Sequence, residues 1–410
     1  MCKSAESGER CAAGTTDSES SPAWNAKPLA AASETADSDS YARRVVSGLL
    51  ELADIRIGGN RPWDIQVHDP RFFRRTLRQS NLGAGEAYMD GWWDVEAPDE
   101  MFARLYAAKP LSQLGKISTL LLSLRARLFN QQAGGRAAHV ARRHYDLGND
   151  LFQTMLDRRM QYTCAYWPGA RNLDEAQENK LRLIAQKLHL EAGMDILELG
   201  GGFGGLAHFL ATEYGCRVVS YNISREQMDY ARELCRGLPV RFELKDYREA
   251  ARESQRFHRV AAIGLCEHIG YKNYRQFLRI VRDRLMDGGL FLIHTIGNNR
   301  SVTTTDAWIE KYIFPNGVIP SIAQLGAAIE NGWVVEDWHN FGPDYDPTLL
   351  AWWNNFDRGW PLLREKYGQR FYRMWRYYLL SCAGTFRARE MQLWQIVLSK
   401  GDIPAYTPVR

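Results

Sequence analysis

The stretch DILELGGGFGGLAHFLATEYGCRVVSYNISREQ, residues 195–227, decides the fold of this chain. It opens with an apolar run from Ile196 to Leu199, which is typical of a buried parallel strand. A glycine-rich loop, GGGFGG, begins at Gly200, and apolar residues at helical spacing follow it. A second strand is predicted from Arg217 to Tyr221. The order of strand, glycine loop, helix and strand predicts the first half of a nucleotide-binding α/β fold.

The glycine loop fits two ligand templates. The pattern G-x-G-x-x-G from Gly200 matches a dinucleotide fingerprint, which needs an acidic residue about 20 positions later to hold a ribose hydroxyl. Tyr221 and Asn222 stand there instead. The pattern G-x-G-x-G from the same residue fits the loop beneath the amino-acid part of S-adenosylmethionine, with Asn222 and Gln227 as polar partners for ribose or adenine. The missing carboxylate favours S-adenosylmethionine.

Composition excludes several classes of protein. With 45% hydrophobic and 24% charged residues, the chain has the composition of a soluble globular protein, and its 410 residues exceed one ordinary domain. A net charge of +4 is too small to indicate a nucleic acid partner. The 7 cysteines are scattered without a C-x-x-C pair, so we expect neither a disulfide framework nor a metal site. With no secretion signal and no apolar run long enough to span a bilayer, we expect a cytoplasmic protein.

Changes of composition along the chain predict four segments. Residues 1–40 are rich in small and polar side chains, which cannot bury enough surface to offset the ordering entropy, so we expect a disordered tail. Residues 41–130 are predicted to form a smaller N-terminal α+β domain, and residues 131–140 a linker around Gly134 and Gly135. Residues 141–410 are predicted to form the catalytic domain.

Strand patterns continue after the glycine loop and alternate with helices, of which Asn273 to Leu285 is the clearest. This alternation predicts a doubly wound, seven-stranded α/β sheet with its ligand at the carboxyl ends of the strands. The segment from Asp306 to Arg389 is rich in aromatic residues, and we expect a largely helical cover over the substrate. The five further strands are predicted at Val240 to Leu244, Arg259 to Ile263, Leu290 to His294, Trp333 to Asp337 and Leu393 to Leu398.

Two segments rich in basic residues each have two interpretations. Arginines and phenylalanines interleave from Arg71 to Arg78. This run is either an amphipathic helix with its phenylalanines in a small core, or a surface for anionic phospholipid headgroups. From Leu111 to Asn130, leucines share one helical face while basic residues lie elsewhere. That segment resembles an interfacial membrane helix, and packing in a core or between domains is the alternative.

Many ordered motifs carry a family resemblance from about residue 41 to the end of the chain. Besides the glycine loop they are GAGEAYMDGWW from Gly83, HYDLGNDLF from His144, MQYTCAYW from Met160, NISREQ from Asn222, EHIGYKNY from Glu267, FLIHTIG from Phe291, KYIFPNG from Lys311, WHNFGPDYD from Trp338 and CAGTFRARE from Cys382. Together they resemble the cyclopropane fatty acid synthases, S-adenosylmethionine-dependent enzymes that methylenate cis double bonds of phospholipid acyl chains. The resemblance implies a Rossmann-like methyltransferase sheet.

The chain departs from the family pattern at four positions. Gly201 and Phe203 stand where the family loop usually has Cys and Trp, Cys266 replaces a common aromatic residue, and Asn222 replaces a usual Thr. None of these changes removes a reacting group, so we expect altered cofactor affinity rather than lost activity.

The chemistry implied by the resemblance sets three requirements. An alkene attacks the sulfonium-bound methyl group, so the donor must be aligned, water must be excluded from the resulting cation, and a base must remove a proton to close the ring. The family uses bound bicarbonate as that base. The matching anion site has His294 and Tyr345 as donors, the backbone N–H of Ile296, Glu267 as acceptor of the bicarbonate proton, and Cys164 as a weak thiol donor. Glu267 favours ring closure over diversion of the cation to methyl-branched or hydroxylated products.

Further residues are assigned to the site by the same resemblance. Cys382 matches a family cysteine and is expected to line the pocket without a covalent role. The predicted cofactor-binding residues are Tyr162, Thr163, Gly200, Gly202, Gly204, Asn222, Gln227, Asp246 and Tyr247.

The resemblance also implies partners. We expect a peripheral association with the inner face of a phospholipid bilayer containing unsaturated acyl chains, through a lipid-binding N-terminal domain, and a homodimer is left open. Two alternatives from other classes are a methyltransferase acting on a heteroatom of a soluble substrate and a non-catalytic lipid-binding protein that kept the fold.

Overall fold

The computed structural model describes residues 29–108 and 148–410, with side chains from residue 40 onward. The predicted linker 131–140 and the helix predicted from Leu111 to Asn130 lie outside the described residues. The N-terminal region contains, in order, α1 (Leu29–Glu51), β1 (Gln66–Val67), α2 (Arg71–Met89), β2 (Trp93–Asp94) and α3 (Pro98–Ala108).

The boundary predicted at residue 40 falls inside a helix, because α1 already begins at Leu29. The reason is local sequence: the first turns of α1 are rich in alanine, the best helix former, and contain neither glycine nor proline. Further along, Ala42, Val46 and Leu50 are buried at helical spacing, and the helix packs on α2. The polar composition of residues 29–40 therefore did not reveal that they extend the helix. Residues 1–28 lie outside the described part of the chain.

Helices and strands alternate through the rest of the chain. The helices are α4 (Asn149–Met155), α5 (Leu173–Lys187), α6 (Gly205–Tyr214), α7 (Arg225–Leu234), α8 (Cys266–Ile269), α9 (Tyr274–Arg284), α10 (Ala307–Tyr312), α11 (Ile322–Ile329) and α12 (Tyr345–Arg387). The strands are β3 (Asp195–Leu199), β4 (Arg217–Asn222), β5 (Val240–Leu244), β6 (Phe257–Ile263), β7 (Leu285–Asn298), β8 (Val334–Asn340) and β9 (Met391–Ser399).

These seven strands form one sheet in the order β5-β4-β3-β6-β7-β9-β8. The pairs from β5 to β7 are parallel, and both pairs made by β9 are antiparallel. The sequence order reverses on either side of β3, which opens a crevice at the carboxyl ends of the central strands. The predicted seven-stranded α/β sheet of a methyltransferase is confirmed.

The basic and aromatic run on α2 is divided between the core and the surface, because its phenylalanines are buried while Arg71 and Arg78 are exposed. Phe72 and Phe73 are only 3% and 4% exposed, so the amphipathic interpretation is confirmed for the phenylalanines. Arg75 contacts Glu86 at 2.5 Å and Asp90 at 2.8 Å. Arg75 is therefore held in a partly exposed ion-pair network, and contact of this run with phospholipid headgroups stays a prediction.

The N-terminal region packs closely on the long helix α12. Arg373 donates to the carbonyl oxygens of Tyr88 and Trp93 at 2.5 and 2.8 Å. A Cβ on Gly384 would lie 2.5 Å from the carbonyl oxygen of Asp99, so the α3 backbone approaches α12 where a side chain is missing. Buried residues of both regions belong to one hydrophobic cluster. The N-terminal region is thus packed against the elements that bear the site.

Helix α12 forms most of the predicted aromatic cover. It breaks at Gly368, whose φ is 73°, and its two halves pack through Phe356 and Trp360 against Tyr372, with ring centroids 5.9 and 5.0 Å apart. The hairpin brings both ends of α12 back to the sheet edge. Tyr345 at one end and Tyr378 near the other therefore line the same cavity.

Candidate active site

One large cavity, with a volume of about 580 Å³, lies at the carboxyl ends of the central strands. The loop after β3 and the ends of β4, β6 and β7 form its floor, and α12 covers it. The N-terminal region contributes Asn81, Phe102 and Tyr106 to the wall. The cavity therefore joins the predicted cofactor site to the interface with α2 and α3.

The glycine loop is held open toward the cavity by β4. The N–H groups of Gly200 and Gly201 donate to the carbonyl oxygen of Tyr221 at 2.9 and 3.0 Å, and the Asn222 amide donates to the carbonyl oxygen of Gly202 at 2.9 Å. Gly202 has a φ of +51°, and a Cβ built there would meet no atom within 4 Å. The loop is a concave, side-chain-free surface of the kind that accommodates a closely bound ligand.

The predicted cofactor residues, with one exception, line this cavity. They are Tyr162, Thr163, Gly200, Gly202, Asn222, Gln227, Asp246 and Tyr247. The exception is Gly204, which lies outside the lining. A Cβ on Gly204 would be 2.7 Å from the Cβ of Ala231 on α7, and its φ is +82°, so both helix packing and backbone conformation favour glycine there. Cofactor contact by Gly204 stays a prediction.

Glu198 also lines the cavity, and the sequence analysis missed it. It is 3% exposed, accepts a hydrogen bond from Ser220 Oγ at 2.6 Å, and burial raises its pKa to about 7. A Cβ on Gly201 would lie 1.9 Å from Ser220 Oγ, so this hydrogen bond requires the absence of a side chain at 201. A carboxylate inside an apolar strand pattern directly before the glycines was the available signal.

All six residues of the predicted catalytic set line the same cavity: Cys164, Glu267, His294, Ile296, Tyr345 and Cys382. The N–H of Ile296 donates to Glu267 Oε1 at 2.7 Å. This contact corrects the role of Ile296, because its N–H holds the carboxylate instead of facing an anion. Likewise the Cys164 thiol donates to the carbonyl oxygen of Ala165 at 3.2 Å.

Two buried polar atoms in this set lack partners. Within the described chain, Glu267 Oε2 and His294 Nε2 make no hydrogen bond. Such atoms are costly to bury unless a ligand or water satisfies them. The cavity thus offers one acceptor and one ring nitrogen to a small polar ligand.

Burial sets the protonation states of these groups. Burial, assisted by the charges of Lys180 and Lys187, holds the pKa of His294 well below its usual range, so its ring is neutral. Burial raises the pKa of Glu267 to about 6, which leaves it ionised at neutral pH. Burial also raises the pKa of the Cys382 thiol to about 12. The neutral thiol is a poor nucleophile, in keeping with a pocket-lining role.

Residues 29–108 and 148–410 contain neither a candidate metal site nor a candidate membrane-spanning helix. No group of three or more His, Cys, Asp or Glu side chains there is arranged to hold a metal ion. No helix there is both long and apolar enough to cross a membrane.

The family model of mycolic acid cyclopropane synthetases matches residues 132–396. A cyclopropane-fatty-acyl-phospholipid synthase of Escherichia coli strain K12 is 48% identical over 359 residues, which cover 87% of this chain and 93% of that protein. A probable fatty acid methyltransferase of Pseudomonas putida is 29% identical, over 82% of this chain and 86% of that protein.

Solved structures agree with these sequence relatives. The cyclopropane synthase MmaA2 of Mycobacterium tuberculosis superposes with a TM-score of 0.60 and 25% identity, covering 64% of this chain and 98% of its own. The mycolic acid cyclopropane synthase CmaA1, solved with SAH and CTAB, gives 0.59 and 27%, covering 64% and 97%. The chain belongs to the cyclopropane synthase family of S-adenosylmethionine-dependent methyltransferases.

Proposed function

We propose that this enzyme transfers a methylene group from S-adenosylmethionine to the cis double bond of unsaturated acyl chains in phospholipids and closes a cyclopropane ring, with bound bicarbonate as the base. The observation that carries the proposal is the pair of unpartnered buried atoms, Glu267 Oε2 and His294 Nε2, in the cavity that also contains the glycine loop. A heteroatom methyltransferase needs no separate anion site for a base. A non-catalytic lipid-binding protein needs neither a base nor an anion site to hold one.

The residues that line the predicted cofactor site are suited to S-adenosylmethionine. The loop at Gly200 and Gly202 is free of side chains. The amides of Asn222 at the end of β4 and Gln227 in the first turn of α7 line the cavity beside it, where a ribose or adenine needs polar partners. When bound, S-adenosylmethionine supplies an electrophilic methyl group, which the alkene attacks to leave a carbocation. The residues of the chain must then hold the donor in line, exclude water and position the base.

The anion site has complementary donors and acceptors for bicarbonate. The neutral His294 ring can carry its proton on Nε2 and donate to a bicarbonate oxygen, and ionised Glu267 can accept the bicarbonate proton at Oε2. Burial raises the pKa of Tyr345 well above its usual range, so its hydroxyl stays a donor. Held by these three residues, bicarbonate would supply a basic oxygen to which the transferred methyl group could lose its proton, with the C–H electron pair closing the ring.

Aromatic rings around the site can stabilise the carbocation and shield it from water. Tyr345 packs against Phe386 with ring centroids 4.5 Å apart, and Tyr162 against Trp352 at 5.2 Å. Tyr162 and Tyr378 share a hydrogen bond of 2.9 Å between their hydroxyls, which fixes both rings. Ring faces stabilise a positive charge that cannot be solvated, and their bulk keeps water out.

Membrane contact belongs to the same proposal. Asn81, Phe102 and Tyr106 of the N-terminal region line the cavity, which supports entry of an acyl chain from that side. We therefore assign residues 41–130 to lipid binding at the inner face of the membrane and residues 141–410 to catalysis. A homodimer stays a prediction.

The test is expression in a bacterial host that lacks cyclopropane synthase, followed by mass spectrometry of the fatty acid methyl esters. We expect unsaturated chains to gain one CH₂ unit and to lose the reactivity of a double bond. The matched control is Glu267→Gln, which keeps the shape of the site. A methyl-branched product or unchanged fatty acids would refute ring closure. Methylation of a soluble amine or hydroxyl by the purified enzyme would favour the heteroatom alternative.

A further inference from the structure

A fully buried lysine lies beside the cofactor site and has no part in the mechanism above. Lys180 on α5 is 0% exposed, and its Nζ donates to Gln161 Oε1 at 2.6 Å and to Thr163 Oγ1 at 3.0 Å. Both acceptors line the cavity, whereas Lys180 itself lies behind them. The ammonium group therefore reaches the cavity through two neutral side chains.

The loop that carries these acceptors is fastened to α5 at a second point. Gln177, one turn before Lys180, donates from Nε2 to the carbonyl oxygens of Gln161 and Thr163 at 3.3 and 2.8 Å. The same loop contains Met160 with a φ of 54°, a left-handed conformation that costs energy for a side chain of this size. Gln177 already supplies neutral bonds that hold the loop, so a buried charge is not needed for that purpose.

A buried ammonium is expensive, so its retention needs a reason. Burial lowers the pKa of Lys180 to about 8, which keeps the group protonated at neutral pH. The buried carboxyl of Glu198 lies near enough to interact electrostatically with it and lines the cavity itself. The amino-acid end of S-adenosylmethionine carries one carboxylate and one ammonium group. The wall of the cavity therefore carries the Glu198 carboxyl, and the Lys180 ammonium lies behind Gln161 and Thr163, near the place of this zwitterion.

Thr163 is placed to pass on the influence of Lys180. Its Oγ1 accepts from the ammonium, which leaves its own hydroxyl proton to donate to another acceptor. A Cβ on Gly264, at the end of β6, would lie 3.0 Å from Thr163 Cγ2, so Thr163 stands on the β6 side of the glycine loop, away from Asn222 on β4. This is the side left for the amino-acid end when ribose and adenine take the β4 side.

We propose that Lys180 is a positioning residue that makes the site prefer a ligand with a carboxylate, by orienting and polarising the Thr163 hydroxyl toward that group. This inference rests on the cofactor site of the proposed function and is independent of bicarbonate and of the lipid.

The experiment measures binding by calorimetry with two ligands, S-adenosylhomocysteine and its decarboxylated analogue, which retains the amine. Lys180→Met removes the charge and keeps the length of the side chain. The control is Lys187→Met on the same helix, because Lys187 is also 0% exposed but contacts Asp337 at 3.0 Å, outside the cavity lining. We expect Lys180→Met to weaken the binding of S-adenosylhomocysteine about tenfold or more, a loss on the scale of one hydrogen bond to a charged group. Binding of the decarboxylated analogue should weaken by less than about twofold. Lys187→Met should leave the ratio of the two affinities unchanged.

Thr163→Val provides a second test if Lys180→Met fails to fold, and it should produce the same carboxylate-selective loss. Equal losses for both ligands in Lys180→Met would show a structural role and overturn the inference. An unchanged preference in Thr163→Val would overturn it as well. If the unmodified enzyme binds neither ligand, the cofactor assignment of the proposed function fails instead.

Discussion

Replacement of Glu267 by Gln tests the anion site with the smallest change of shape. In the structure Glu267 Oε1 accepts from the Ile296 N–H at 2.7 Å, and Oε2 is buried without a partner. The amide oxygen of Gln can keep the first contact. Its NH₂ group then replaces Oε2, so a donor stands where bicarbonate needs an acceptor for its proton.

The expected loss follows from that one contact. A hydrogen bond to a charged group contributes about 1.5–3 kcal/mol. Since about 1.4 kcal/mol corresponds to a factor of ten in affinity, Glu267→Gln should weaken the binding of bicarbonate about 10- to 150-fold. A misplaced base adds to this, so the turnover should fall by about 10²- to 10⁴-fold. Binding of S-adenosylmethionine should change little, because Glu267 lies beyond the glycine loop.

The assay measures the initial rate of methylene transfer to phospholipid vesicles in degassed buffer, with bicarbonate added back in steps. The parent rate should rise and saturate with bicarbonate, and the Gln variant should respond only at much higher concentrations. Full activity of the degassed parent, or parental activity of the variant, would refute the assignment.

The same variant has a pH signature. Burial raises the pKa of Glu267 to about 6, so its carboxylate form is present above pH 6 and is lost as the pH falls through that value. With the concentration of bicarbonate ion held constant, the parent rate should decline below about pH 6. This limb should be missing from the profile of Glu267→Gln. A parent profile that is flat through pH 6 would contradict the proposed role of the carboxylate.

Three further perturbations have defined outcomes. Gly202→Val forces a β-branched residue to a φ of +51° beside the cavity, so the affinity for S-adenosylhomocysteine in calorimetry should fall at least about tenfold. Gly384→Ala places a Cβ 2.5 Å from the carbonyl oxygen of Asp99, and chemical denaturation should show a loss of about 1–3 kcal/mol. Sedimentation with anionic vesicles should weaken with added salt and with Arg78→Glu, at about 1 kcal/mol for each basic residue near the surface. Parental affinity, unchanged stability or salt-independent sedimentation would contradict them in turn.

The catalytic fold and the cofactor class could be predicted from local sequence patterns. The apolar run before Gly200, the glycine loop and the absence of a carboxylate after β4 are local features, and each depends on residues close together in the chain. Backbone conformation and strand burial follow from such short-range patterns, which is why the seven-stranded sheet was predicted correctly. The composition of residues 1–40 was a poorer guide, because an average over a segment does not detect the alanine-rich start of α1 at Leu29.

The partner of each functional group depends instead on tertiary contacts. Glu267 lies on α8, directly after β6, and Ile296 lies on β7, which pairs with β6. This pairing brings the two residues together, and the Ile296 N–H donates to the Glu267 carboxylate. A side chain at Gly204 would clash with α7, and Lys180 contacts Thr163 only because α5 lies behind the loop that carries it. Such contacts join residues that are distant in sequence, and they depend on how close two elements approach. The distance between two packed elements cannot be read from the spacing of residues along the chain. The packing therefore determines whether a polar group is free to bind a ligand or is already bonded to a neighbouring residue.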